Sequence, residues 1–264
     1  TLVELLIVVI ILGILAAAGA YLATRTPTEN ELVSSFQEAQ RFYAEGAYDQ
    51  AIAEYTEVSQ LRSRALEVDK VQVVVGEESF PLQEAAAYQI GNAHSKFYED
   101  YDRFADEARN ADKRVEYRAL ADSSLARSVA AFRHVIATAE SEVLRVRAHG
   151  RLIDLYFTAE AYSDVIIASR ELIAAYPDGP HVIVAYYNTG WTYYETKRYA
   201  RAIESFEELL SRFSTGYRAD RSLFQIGECY REQGEFLKAI VYYRRLVARQ
   251  RIGELTDEEL LQMK

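Results

Sequence analysis

The chain is 264 residues long, and its 30 lysines and arginines stand against 40 aspartates and glutamates, a formal charge of −10 at neutral pH. So acidic a chain repels a phosphate backbone and no basic cluster relieves that, which excludes nucleic acid as a partner. Apolar residues make up 50% and charged residues 27%, the balance of a folded protein, and only 4 prolines and 12 glycines interrupt it, which predicts mostly helix.

Cys229 is the single cysteine, so neither an intramolecular disulfide nor a thiolate metal cluster can form, and its plain role is that of a small buried hydrophobe. His94, His134, His149 and His181 are scattered singly, without the spacing of a helical metal pair. No metal site and no cofactor are expected. Phosphate loops, dinucleotide fingerprints and nucleophile–histidine–acid arrangements are missing too, so the chain does not read as an enzyme.

The first residues read TLVELLIVVIILGILAAAGAYLATR, and the 19 from Leu5 to Ala23 carry no charge. At about 1.5 Å rise per residue such a helix crosses roughly 30 Å of hydrocarbon. It is apolar all round, unlike the one-sided helix of a domain surface, and it lacks the basic start of a signal peptide. Residues 1–25 are therefore expected to span a membrane. Glu4 is out of place in a mere anchor, because an acid costs roughly 2.5–3.5 kcal/mol at the centre of a membrane helix and less near its end.

The run from Thr1 to Tyr21, with its acid at Glu4, resembles the N-terminal helix of type IV pilins. The resemblance implies cleavage by a prepilin peptidase, an N-methylphenylalanine ahead of Thr1, and assembly by a pilus machinery. It assigns Glu4 to a pairing with a neighbouring subunit's N-terminal amine. It places Thr1, Leu2, Leu5, Leu6, Ile7, Ile10, Ile11, Gly13, Ile14 and Leu15 in the packed filament core. The plain alternative for Glu4 is a carboxylate that snorkels at the membrane face.

Beyond the break at Thr24–Glu29, Thr26 as N-cap, Pro27 as first helical residue and Glu29 are expected to open a new helix with a capping box. From there to the C-terminus the chain is repetitive. The turn aromatics Tyr162, Tyr199 and Phe236 are 37 residues apart, each followed by a small or β-branched residue and an isoleucine, at Val165-Ile166, Ala202-Ile203 and Ala239-Ile240. Gly190 and Gly227 precede Tyr193 and Tyr230 by three, where two helices would cross closely. Pro177 closes the first of these units. The pattern resembles the tetratricopeptide repeat (TPR), a helix–turn–helix unit of about 34 residues. Earlier, Ala39, Phe42, Gly46, Tyr48, Ala51 and Tyr55 fit the same template. A further unit is split, its first helix carrying Ile90 and Gly91, its second carrying Phe132, with a charged helical extension over 95–122 between them.

The expected fold class is therefore all-α: an apolar N-terminal helix over 1–25, then a TPR solenoid over 26–264. Its helix pairs are placed near 32–66, 83–138 with the insertion, 146–177, 183–214 and 220–251. Val71, Val73 and Val75, with Gly76 and Phe80-Pro81, break the helical period and predict a short β insert over 71–80. Its open edge is covered either by a neighbouring subunit or by the chain's own solenoid.

Most of the 20 tyrosines fall at core positions of the repeats. Tyr187, Trp191, Tyr194, Phe224 and Arg231 are instead expected on the inner face of the first helices, where a groove would take a peptide, a glycan or an adjoining subunit. Asp100, Asp102 and Asp106 lack the glycine and closing glutamate of a calcium loop and read as a solvated helix face. Together these signals lead to the expectation of a homopolymeric, pilus-like filament subunit. It would be held in the inner membrane before assembly and displayed as an extracellular filament afterwards, with the repeats as outer sheath. The rivals are a minor pilin or pseudopilin that presents its repeats to cargo, and a single-span adaptor.

Overall fold

A computed structural model describes residues 27–60 and 68–253. The expected span over 1–25, and with it Thr1, Leu2, Glu4, Leu5, Leu6, Ile7, Ile10, Ile11, Gly13, Ile14 and Leu15, lies outside the described residues. The chain divides into two compact units, the first up to Ala93 and the second from His94.

In the first unit, α1 (Glu29–Ala44) starts two residues later than expected. Two overlapping Thr-x-x-Glu frames occur here, and the later one forms the capping box. The Thr28 hydroxyl accepts from the Glu31 amide at 3.3 Å, while the Glu31 carboxylate accepts from the Thr28 amide at 2.7 Å. Pro27 is thereby left ahead of the cap, where its missing N–H costs no helical bond. The helix buries Leu32, Phe36 and Ala39 against Ala51, Tyr55 and Val58 of α2 (Tyr48–Gln60). The Phe36 and Tyr55 rings meet edge-on at 5.3 Å.

The β insert is a hairpin of β1 (Gln72–Val75) and β2 (Glu78–Pro81), antiparallel with Val73 opposite Phe80. Val73, Val75 and Phe80 point inward and Gln72 and Val74 outward, the period-2 alternation read from sequence. Its edge is met by its own unit: the Gln40 side-chain amide of α1 donates to the Val74 carbonyl at 2.9 Å.

Helix α3 (Leu82–Glu107) runs from the first unit into the second, and α4 (Ala111–Thr138) follows after residues 108–110. The stretch 95–122, expected as an extension splitting a repeat, is continuous helix on both sides of that turn. Within the second unit the two helices approach on small residues, with the Ser95 and Ser128 hydroxyls 2.8 Å apart. Near the tip, Arg118 pairs with both Asp102 and Asp106, and Asp100 accepts from Arg103 at 2.7 Å. These acids are thus ion-paired along helix faces.

Three helix pairs complete the unit: α5 (Glu142–Thr158) with α6 (Tyr162–Ala175), α7 (Val182–Glu195) with α8 (Tyr199–Arg212), and α9 (Tyr217–Glu232) with α10 (Phe236–Gly253). Each pair turns on one residue with left-handed backbone, two before the turn aromatic: Glu160 (φ 54°), Lys197 (φ 58°) and Gly234 (φ 76°), with Gly46 (φ 79°) the counterpart in the first unit. The next amide then reaches back to a carbonyl five residues earlier, as from Arg198 to Tyr193 at 2.7 Å, which caps the first helix in Schellman fashion. Successive pairs are tied by bonds that repeat at the same spacing. Arg212 donates to the Pro177 carbonyl at 3.1 Å and, 37 residues on, Arg249 donates to the Ser214 carbonyl at 2.5 Å.

Among the described residues no helix is long and apolar enough to cross a membrane. The two longest, α3 and α4 with 26 and 28 residues, carry charges along their length, and each charge at a membrane helix centre costs roughly 2.5–3.5 kcal/mol.

Candidate protein-interaction groove

The side chains at i, i+4 and i+7 of α7 build a continuous aromatic strip. Tyr187 and Trp191 meet edge-on with centroids 6.3 Å apart, Trp191 and Tyr194 at 5.7 Å, and Tyr194 continues to Tyr199 at 5.7 Å. Edge-to-face contacts are the favoured geometry of such rings and add about 0.5–1.5 kcal/mol per pair beyond area burial. All four are half-buried and pack on the cluster of Ile203, Phe206, Ile226 and Cys229 beneath.

Gly190 is what seats this strip. A Cβ there would stand 2.6 Å from the Phe206 ring, so only glycine lets Phe206 slide under α7, where it supports Tyr187 at 6.2 Å. Gly227 plays the same part under Tyr243, at 2.3 Å. The close crossings expected at both glycines are present.

Cations border the strip. The Arg218 guanidinium lies over the Tyr187 ring at 5.8 Å, and the Tyr187 and Tyr217 phenols beside Arg221 raise its guanidinium's pKa. One repeat earlier, at the position equivalent to Trp191, Asp154 accepts from the Asn188 side chain at 2.7 Å. Burial pushes the Asp154 carboxyl up, while Asn188, Arg151 and Arg218 draw it back.

One repeat later the equivalent positions change chemistry. The Phe224 and Tyr243 rings lie tilted at 5.9 Å, Glu228 replaces Trp191, and Arg231 replaces Tyr194. Arg231 bonds Glu228 and Glu232, each at 2.7 Å, and the Tyr243 hydroxyl donates to Glu228 as well. The Arg231 bond foremost holds the Glu228 carboxyl below the usual range, and burial, with Glu228 beside it, pushes the Tyr243 phenol up to about 12. Of the five residues expected to line one groove, Tyr187, Trp191 and Tyr194 form the strip. Phe224 packs on Tyr243, and Arg231, ion-paired with Glu228 and Glu232, stands beside the Tyr194 end of the strip.

Sequence reasoning missed Arg218, Arg221 and the Asp154–Asn188 pair, because which polar residues meet the strip depends on helix rotation. It also missed a cavity of about 410 Å³ between α6, α7 and α8, lined among others by Ser169, Arg170, Tyr186, Arg201 and Glu208.

Tetratricopeptide repeat models match residues 183–215 and 221–250, the spans of α7–α8 and α9–α10. These two segments are tetratricopeptide repeats. Solved structures share the architecture. A kinesin light chain of nearly identical TPR-like repeats from Podosopora anserina is 13% identical, with 88% of this chain and 100% of that one covered and a TM-score of 0.54. MamA from Desulfovibrio magneticus RS-1 is 15% identical over 85% of this chain and 97% of that one, at a TM-score of 0.53. At such identities the likeness establishes the fold, a TPR-like α-solenoid. A search of curated protein sequences finds no match.

These findings correct the expectation of a pilus-like filament subunit. The described residues form a TPR-like α-solenoid similar in fold to MamA and the kinesin light chain, with tetratricopeptide repeats at 183–215 and 221–250, and no helix among them is long and apolar enough to cross a membrane. The filament, its minor-pilin and membrane-adaptor variants, and the passage from inner membrane to cell surface therefore give way to a repeat scaffold of the kind that mediates protein–protein contacts.

Proposed function

We propose that this chain is a scaffold that holds an extended segment of a partner protein across the α7 aromatic strip, anchored by apolar side chains on Tyr187, Trp191 and Tyr194. The observation that carries this reading is the strip itself. Three large rings at one helical face are already ordered edge-to-face, so docking on them costs little side-chain entropy. Half-buried Trp and Tyr are also the residue types that dominate binding energy in interfaces. Arg218 and Arg221 supply donors along one border for the carbonyls or carboxylates of a bound segment. The nearby ion pairs of Arg231 limit the strip on the side of α9.

A displayed peptide library selected on the full chain tests this. Peptides enriched on the native chain should bind the Trp191→Ala variant at least about 30-fold more weakly, the loss expected on truncating an aromatic hot spot. They should bind an Arg170→Ala variant, altered in the α6–α8 cavity, unchanged. Equal binding to the native and Trp191→Ala chains, or loss with Arg170→Ala alone, would sink the assignment.

A further inference from the structure

The cavity of about 410 Å³ between α6, α7 and α8 opens on a different face of α7 from the aromatic strip. Tyr186, Thr189 and Tyr193 line it, a row that helical geometry sets about a third of a turn away from Tyr187, Trp191 and Tyr194. Its interior is apolar on one side, where α6 contributes Ile166 and Ile173 and the buried Tyr193 adds its ring. Ser169, 1% exposed, lies at the bottom, and its hydroxyl has no hydrogen-bond partner. The mouth is charged: Arg170 of α6 and Arg201 and Glu204 of α8 are exposed there. Among the described residues none of these three is in an ion pair, and Arg201 lies over the Tyr193 ring at 5.7 Å. Glu208, also on the lining, is already held by Arg212 at 2.8 Å. Two free guanidiniums against one free carboxylate leave a single surplus positive charge, on a chain whose net charge is −10.

We infer that this cavity binds a small organic monocarboxylate, its carboxylate between Arg170 and Arg201 and its apolar body against Ile166, Ile173 and Tyr193. The planar fork of a guanidinium matches a carboxylate, and donors on two different helices fix the direction from which it enters. One surplus charge suits a monoanion, whereas a dianionic phosphate would meet Glu204 with its second charge uncompensated. The volume falls within the range of about 300–1,000 Å³ common to small-ligand sites, and a few polar groups converging on an apolar interior are their usual lining. The Ser169 hydroxyl, left without a protein partner, is available to a polar atom of the ligand.

The test titrates the full chain with para-fluorophenylacetate and with the isosteric, uncharged para-fluorophenylacetamide, followed by fluorine NMR line widths. The acid is expected to bind saturably and at least about tenfold more tightly than the amide, the scale of a charge-assisted contact. Arg170→Gln and Arg201→Gln should each weaken the acid about tenfold, while Arg127→Gln, exposed on α4, leaves it unchanged. Absence of saturable binding, equal binding of acid and amide, or undiminished binding by both cavity variants would overturn the proposal. Tighter binding of para-fluorophenyl phosphate than of the acid would overturn the choice of a monocarboxylate. Glu204→Gln removes the doubt that a variant has merely lost its fold. It should tighten the acid about threefold by lifting a repulsion, a gain that a damaged cavity does not give, and unchanged or weaker binding would contradict the assignment.

Discussion

The repeats α7–α8 and α9–α10 follow one 37-residue plan and differ at the positions that the plan leaves open. Both have a glycine at the helix crossing, a small residue after the turn aromatic, and an arginine reaching back to the preceding repeat. On the groove face, however, Tyr187, Trp191 and Tyr194 stand where the next repeat has Phe224, Glu228 and Arg231. One repeat offers a surface of rings, and the next closes its polar groups on one another. On the other face, Ile203 of α8 is buried, whereas the equivalent Ile240 of α10 is exposed. The comparison teaches that the shared spacing builds the solenoid, while the side chains free of that duty decide where a partner can bind.

The largest difference should appear at the crossings. Gly190→Ala drives a methyl into Phe206, which is fully buried and cannot withdraw, and should lower stability by about 3 kcal/mol, at the upper end of overpacking costs. Gly227→Ala meets Tyr243, which is half-buried and can yield at the cost of its hydrogen bond to Glu228, and should cost about 1–2 kcal/mol. Urea denaturation of both variants measures the pair; equal losses would mean that the two crossings are equally rigid.

A smaller effect separates the turns. Lys197 holds left-handed backbone where the next repeat has Gly234, so Lys197→Gly should raise stability by roughly 0.5–1 kcal/mol, the relief of an unfavourable φ less the entropy of the added glycine. The thermal midpoint reads it, and a decrease would show that the lysine side chain contributes more than its backbone strain costs.

The smallest belongs to Glu228. Its folded pKa lies below the unfolded one, chiefly through Arg231, so its contribution is complete above the unfolded value and is lost as pH falls through the folded value. Glu228→Gln should therefore cost a few tenths of a kcal/mol near pH 7, the scale of a partly solvated helical ion pair. The difference from the native chain should vanish in acid, below the folded pKa; a difference constant with pH would assign the effect to Tyr243 packing instead.

Much of this framework was legible because repetition exposes constraint. Gly190, Gly227 and the turn aromatics recur at a spacing that only paired helices require, and alternation at Val71, Val73 and Val75 marked the hairpin. The left-handed residues Glu160 and Lys197 were not legible, since nothing in those side chains announces a positive φ that the tertiary turn imposes. The start of α1 was displaced because Thr26 and Thr28 each begin a Thr-x-x-Glu frame, and sequence alone does not rank them. The filament reading failed for a different reason. The apolar run at the N-terminus reports the solvent that the segment prefers, whereas the function of the repeats is set by faces such as the Trp191 strip, which that run does not determine.

Trp191 is the chain's only tryptophan, so its emission reports on the strip without labelling. The most direct measurement is its fluorescence during titration with a library-selected peptide. A saturable blue shift or quench, lost when Tyr187 and Tyr194 are both replaced by alanine, is the result expected of a partner segment lying across these rings. Saturating binding that leaves Trp191 emission unchanged would contradict it and place the interaction surface elsewhere on the solenoid.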